Sequence, residues 1–139
     1  MADTLTSPMH VEVITPDGSI YSADGIDMVV ARALDGEFAV MKNHLPLAAA
    51  LEVCPVRIKK GSEEEKMAVF GGFLEIKDNH VNIVAPQAEK ADTIDIARAQ
   101  EAKRRAEERL AKHASDLDVD RARAALQRAL VRLQVAGKA

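Results

Sequence analysis

Eight of the ten arginines lie in the second half of the chain, and their spacing carries the most chemical content in the sequence. Asp95, Arg98, Ala102, Arg105 and Arg109 recur at intervals of three and four, and so do Arg121, Ala125, Arg128 and Arg132. On helices each set forms one row along a flank. If the two helices run antiparallel about a turn near residue 116, Arg98 comes level with Arg132 and Arg105 with Arg128. The expected result is a groove lined by arginines with few acids in it. A guanidinium fork suits phosphate or carboxylate recognition, and facing cations repel unless an anion lies between them. The plainer reading is a solvated face, with Asp95 and Arg98 an i,i+3 surface pair worth roughly a few tenths of a kcal/mol. The pattern alone leaves both open.

Other chemistry is missing from the sequence. There is no G-x-x-x-x-G-K-[ST] loop and no H-E-x-x-H helix. Gly71-Gly72 is too short for a dinucleotide fingerprint and reads as a bulge or bend in a sheet. His10, His44, His80 and His113 are scattered, so no metal site is expected. The single cysteine, Cys54, excludes an internal disulfide and reads as a small core residue. Glu63-Glu64-Glu65 reads as a solvated hairpin tip. A binding or regulatory role is favoured over catalysis.

The elements that must position the arginines follow from punctuation. The chain has 139 residues, 47% of them apolar, which suits about one domain with an appendage and argues against disorder. No apolar run approaches the ~18 residues that cross a membrane. Met1-Ala2-Asp3-Thr4-Leu5 has no basic start or apolar signal core, so secretion is not expected and a cytosolic setting fits. All five prolines precede residue 87, and all four aromatics (Tyr21, Phe38, Phe70, Phe73) lie in the first half. Residues 87–136 contain neither proline nor glycine. Charge splits at the same place. From Glu89 onward there are 12 basic and 9 acidic residues, against 7 and 13 before it, and the whole chain is at −3. Two units are expected, 1–88 and 89–139, meeting near Pro86.

The first unit reads as short strands: His10–Ile14, Ile26–Ala31, Glu37–Met41, Val56–Lys60, Lys66–Phe70, Phe73–Lys77 and His80–Ala85. Turn signals at Thr15-Pro16-Asp17-Gly18, Asp35-Gly36, Lys60-Gly61-Ser62, Gly71-Gly72 and Asp78-Asn79 separate them, which predicts a β-sandwich. The second unit reads as two helices, Ile94 to about Ala114 with Asp92 as N-cap, and Asp118 (its cap) to about Val135. The short link makes them an antiparallel hairpin. The fold class is thus α+β in two separate parts. Ile96, Ala99, Ala106 and Leu110 form one apolar stripe, facing Val119, Ala122, Leu126, Ala129, Leu130, Leu133 and Ala136. Helix one has so few large apolar residues that the hairpin is expected to be marginal alone. A ligand or partner would then decide its conformation.

Several strings, in order and spacing, resemble the epsilon subunit of bacterial F-type ATP synthase, over nearly the whole chain from Met9 to Ala136. They are Gly36-Glu37-Phe38-Ala39-Val40, Asn43-His44-Leu45-Pro46-Leu47, Val56-Arg57-Ile58 and Gly71-Gly72-Phe73-Leu74-Glu75. Ile94-Asp95-Ile96-Ala97-Arg98-Ala99, Glu101-Ala102-Lys103-Arg104-Arg105-Ala106-Glu107 and Asp116-Leu117-Asp118 follow. The resemblance implies a non-catalytic rotor subunit at the cytoplasmic face of the bacterial plasma membrane, peripheral and attached only through the complex. Its sandwich would bind the gamma subunit and the rotor ring of c subunits. Its hairpin would switch between a folded-down form and an extended form that reaches the catalytic beta and alpha subunits and inhibits ATP hydrolysis.

No cofactor is required, but ATP is implied as a regulatory ligand of the folded hairpin. The family's [IL]-D-x-x-R-A motif falls on Ile94, Asp95, Arg98 and Ala99, with Glu89, Arg105, Arg128 and Arg132 at the spacings of its other nucleotide contacts. The arginines would neutralise phosphates. Glu89 and Asp95 would accept hydrogen bonds from adenine, ribose or a neighbouring arginine. The ring contact falls on Glu37 and His44. One position departs from the pattern: the family usually has Gly before this His, and here it is Asn43, which tolerates the left-handed conformation better than most residues. The alternative is a free-standing interaction module that binds an acidic protein or RNA through its arginines. The lack of aromatic stacking surfaces on the helices weighs against RNA, and no nucleic acid is expected as a partner.

Overall fold

The computed structural model describes residues 8–112 and 115–138. The N-terminal pentapeptide, His113 and the expected end of the first helix at Ala114 lie outside the described residues. Two five-stranded sheets face each other. One has the order β2-β1-β9-β8-β5, built from β1 (Met9–Thr15), β2 (Gly18–Ile26), β5 (Leu47–Ala50), β8 (Phe73–Lys77) and β9 (His80–Val84). The other has the order β10-β7-β6-β3-β4, from β3 (Met28–Ala33), β4 (Gly36–Met41), β6 (Val53–Lys60), β7 (Glu63–Phe70) and β10 (Ala88–Lys90). Two helices follow, α1 (Ile96–Lys112) and α2 (Asp116–Val135).

Each expected strand run falls on a strand, although the run expected from Ile26 divides, with Ile26 ending β2 and β3 beginning at Met28. Three strands were not anticipated: β2, β5 and β10. All three are sheet edges. An edge strand has one flank in solvent and no strong need for large alternating apolar residues. Leu47–Ala50 and Ala88–Lys90 are correspondingly short and small. The strands β1, β8 and β9 alternate clearly, burying Val11, Val13, Leu74, Ile76, Val81 and Ile83 between the sheets. Cys54 is wholly buried in the same core, and burial pushes its thiol pKa up.

The alternation fails in β7, where Met67, Ala68, Val69 and Phe70 are all buried. Met67 and Val69 face the sandwich core. Ala68 and Phe70 point the other way and join Ile94, Val131 and Val135 in a second cluster. Helix α2 therefore covers the outer face of this sheet, and a strand covered on both faces loses its period of two. Gln127 Nε2 adds a hydrogen bond to the Val53 carbonyl at 3.4 Å.

Gly71-Gly72 turns the chain between β7 and β8. Gly72 has φ +98°, and a Cβ there would stand 2.1 Å from the Val84 carbonyl oxygen, so only glycine fits.

Both helix starts differ from expectation. Ala91–Thr93 forms a single 3-10 turn, and Asp95 rather than Asp92 caps α1, accepting the Arg98 N–H at 3.1 Å. Ser115 rather than Asp118 caps α2, accepting the Asp118 N–H at 3.2 Å. A serine whose side chain accepts from the third residue on is the preferred cap geometry, which leaves the acids in the first turn, where the helix dipole favours them. The facing stripes of the hairpin bury Ala99 and Ala106 of α1 against Ala122, Ala129 and Leu133 of α2.

A cleft between the hairpin and the sandwich

The arginine rows produce a cleft, but not between two helices alone. Its volume is about 630 Å³. Helix α1 forms one wall with Asp95, Arg98, Ala99, Glu101, Ala102 and Arg105. The segment through β10 and the 3-10 turn forms another with Gln87, Glu89 and Thr93, and Arg132 reaches in from α2. The size suits a nucleotide-sized ligand.

Of the residues implied at the nucleotide site, Asp95, Arg98, Ala99, Arg105, Arg132 and Glu89 line the cleft together. Ile94 is buried behind it, among Ala68, Phe70, Val131 and Val135, and roots the start of α1 in the sandwich. Arg128 is half-buried on α2 and is not part of the lining. The groove drawn from the helical rows used only the hairpin, so it placed Arg128 level with Arg105 and omitted the sheet wall. Gln87, Thr93 and Glu101 were missed, whereas Ala102 stood in the helical row and does line the cleft. Glu101 was legible on the helical wheel, three residues after Arg98 and four before Arg105.

The expectation of few acids is corrected. Three carboxylates, Glu89, Asp95 and Glu101, balance the three guanidiniums. Arg132 Nε donates to Glu89 Oε2 at 2.6 Å, with both side chains about three-quarters buried. Its guanidinium also lies 4.6 Å from the centre of the Phe70 ring. Arg132 thus ties α2 to both β10 and β7. Arg105 Nε donates to Glu101 at 3.2 Å. Arg98 makes no side-chain ion pair among the described residues. Glu101 is shared with Arg104, whose hydrogen bond is the largest cause holding the Glu101 carboxyl down to about 2.

Glu37 and His44 stand apart from the cleft and from each other. They lie toward opposite ends of β4, the exposed edge strand, separated by roughly 15–20 Å. Glu37 is exposed and 3.7 Å from Arg57. His44 is exposed, and its Nδ1 donates to the Leu45 carbonyl at 2.6 Å. Asn43 does adopt the left-handed conformation, with φ +68°. Its N–H donates to Asn79 Oδ1 at 2.7 Å, and Asn79 Nδ2 donates back to Asn43 Oδ1 at 3.3 Å. Buried Asn79 therefore clamps the loop that carries His44. Leu34, Met41 and Leu45 leave large apolar surfaces exposed at the two ends of β4, a feature with no counterpart in the sequence pattern.

Among the described residues no group of three or more His, Cys, Asp or Glu is arranged to hold a metal ion. No helix among them is long and apolar enough to cross a membrane.

Fold and cleft together define a two-part protein, an all-strand body with a helical arm docked on its outer face. Comparison with known proteins gives the family. Residues 8–91 match the beta-sandwich domain of the ATP synthase delta/epsilon chain, and residues 92–137 match its long alpha-helix domain. The ATP synthase epsilon chain of Bacillus velezensis is 49% identical over 129 residues, 93% of this chain and 97% of that one. That of Bacillus licheniformis is 48% identical over 128 residues, 92% and 97% of the two chains. A chain in the mitochondrial ATP synthase of Euglena gracilis (OSCP/F1/c-ring) shares the fold, with a TM-score of 0.82 at 17% identity, over 98% of this chain and 85% of that one. The chain belongs to the epsilon chains of the ATP synthase delta/epsilon family.

Proposed function

We propose that the chain is a non-catalytic rotor subunit of an F-type proton-translocating ATP synthase, and that its hairpin is a brake when undocked, which ATP releases by holding it docked. The observation that carries the nucleotide reading is the cleft itself. It draws Arg98 and Arg105 from α1, Arg132 from α2 and Glu89 from the sandwich. A ligand bridging them ties three elements in one conformation and so favours the folded-down form. Arg98, free of ion pairs among the described residues, is the first guanidinium a phosphate meets. Arg105 is the second, once it turns from Glu101. Arg128 serves from the rim. Glu89 and Asp95 accept from the base, the ribose or an arginine.

The sandwich couples the gamma subunit to the rotor ring of c subunits. The ring contact runs along the β4 edge, with Glu37 near one end and His44 with Leu45 beyond the other. The undocked hairpin, net basic, reaches acidic surfaces of the catalytic beta and alpha subunits. The protein then acts at the cytoplasmic face of the bacterial plasma membrane, held there by the complex.

Titration of the full chain with ATP by calorimetry tests the site. Arg98→Ala is expected to weaken binding at least tenfold, the value of one charge-assisted contact of about 1.5–3 kcal/mol. Equal affinity in wild type and variant removes the nucleotide reading. For the brake, the chain truncated after Ala91, which keeps β10, is assembled into the complex. Hydrolysis at low ATP should rise, and unchanged or lower hydrolysis rejects a brake.

A further inference from the structure

The cleft holds as many carboxylates as guanidiniums, and the three acids are not equivalent. Glu89 is bound to Arg132, and Asp95 caps α1. Glu101 has neither task. It stands in the first half of α1, and its Oε1 accepts from Arg105 Nε at 3.2 Å and from Arg104 Nη2 at 2.8 Å. Its Oε2 accepts from Arg104 Nε at 3.0 Å. Arg104 is not part of the cleft lining, and Glu108 holds it from the far side at 2.9 Å. The Glu101 carboxyl, held down to about 2, is charged at any physiological pH.

We propose that Glu101 is a built-in competitor for the anionic ligand of this cleft. Its carboxylate occupies the Arg105 donor that a phosphate oxygen would take, and so sets the affinity of the site. The inference rests on the cleft being a nucleoside triphosphate site. Binding there exchanges an Arg105–Glu101 contact for an Arg105–phosphate contact and brings the phosphate charge up to an unmoved carboxylate. Both effects weaken the complex. Glu101→Gln keeps the shape and removes the charge. Taking one negative charge away from roughly 5 Å beside a phosphate should tighten binding by about tenfold.

Arg104 acts in the opposite sense, through Glu101. It holds both carboxylate oxygens and so draws Glu101 partly away from Arg105. Arg104→Ala leaves Oε1 to Arg105 alone, and ligand binding should weaken by about threefold to tenfold, although Arg104 lies outside the cleft. Loss of a positive charge would also weaken binding at long range, without Glu101. The double variant separates the two causes.

The experiment is a calorimetric titration of the full chain with ATP in wild type, Glu101→Gln, Arg104→Ala and the double variant, with far-ultraviolet circular dichroism confirming equal helix content. The expected pattern is tighter binding for Glu101→Gln, weaker binding for Arg104→Ala, and no effect of Arg104→Ala once Glu101→Gln is in place. Binding in Glu101→Gln where wild type shows none also supports a competitor. If wild type binds ATP through Arg98 but Glu101→Gln binds equally or more weakly, the competitor is rejected and the site stands. The competitor is likewise rejected if Arg104→Ala costs as much on top of Glu101→Gln as in wild type. Absence of binding in wild type and Glu101→Gln alike removes both readings.

Discussion

Replacing Val131 by Ala should loosen the arm without touching the body. Val131 is 2% exposed and packs with Val135 and Ile94 against Ala68 and Phe70 on the outer face of the sheet. Valine to alanine removes about two methylene equivalents, roughly 1.6 kcal/mol of burial, and the partly collapsed cavity brings the loss to about 2 kcal/mol. Alanine is the better helix former by about 0.5 kcal/mol, so the net cost to docking is about 1.5 kcal/mol. The ratio of docked to undocked hairpin should fall roughly tenfold. Native-state hydrogen exchange reads this directly. Amides of α2 should exchange about tenfold faster, while those of Val11, Val13, Val81 and Ile83 keep their protection. Unchanged exchange in α2 refutes the docking role of the cluster. An equal rise in the sandwich amides refutes the separation of arm and body, since it would show one cooperative unit.

Gly72→Ala should destabilise the sandwich by more than about 3 kcal/mol in denaturant unfolding, because its Cβ would overlap the Val84 carbonyl in a left-handed backbone. Asn79→Ala should remove the 2.7 Å acceptor of the Asn43 N–H, cost about 1–3 kcal/mol, and raise amide exchange at Asn43 and His44, in the turn after β4, above that of the strand itself. The pH dependence has a definite sign. The Glu101 carboxyl is depressed to about 2, so its support of α1 is complete above its ordinary value near 4.5 and is lost as pH falls toward 2. Helix content of wild type should therefore decline in that window by more than that of Glu101→Gln, and parallel acid curves would refute the contribution.

The legible parts of this protein were those where one side of an element is buried. Strands β1, β8 and β9 alternate because one face meets the core and the other meets water, and the pattern read correctly. Where both faces are covered, as from Met67 to Phe70, alternation disappears, and with it the sign that α2 docks there. Where one flank is open, as in β2, β5 and β10, the signal weakens again. Residue spacing therefore held no trace of the sheet wall of the cleft. Glu89 entered only through family likeness, while Gln87 and Thr93 did not enter at all. The arginine rows were legible because a helical wheel fixes which side chains share a flank. Which acids answer them depends on tertiary placement, and Arg132 met Glu89 across 43 residues of sequence.

The first strand has a consequence for how the chain comes off the ribosome. β1 pairs in parallel with β9, His10 beside His80 through Ile14 beside Val84. β1 can form its hairpin with β2 at once, but its other flank waits for a partner some seventy residues downstream. Its sheet closes only once that late strand has cleared the exit tunnel. The helical arm follows every strand in the chain, so it emerges after the sandwich, onto a platform whose sheets can already close beneath it.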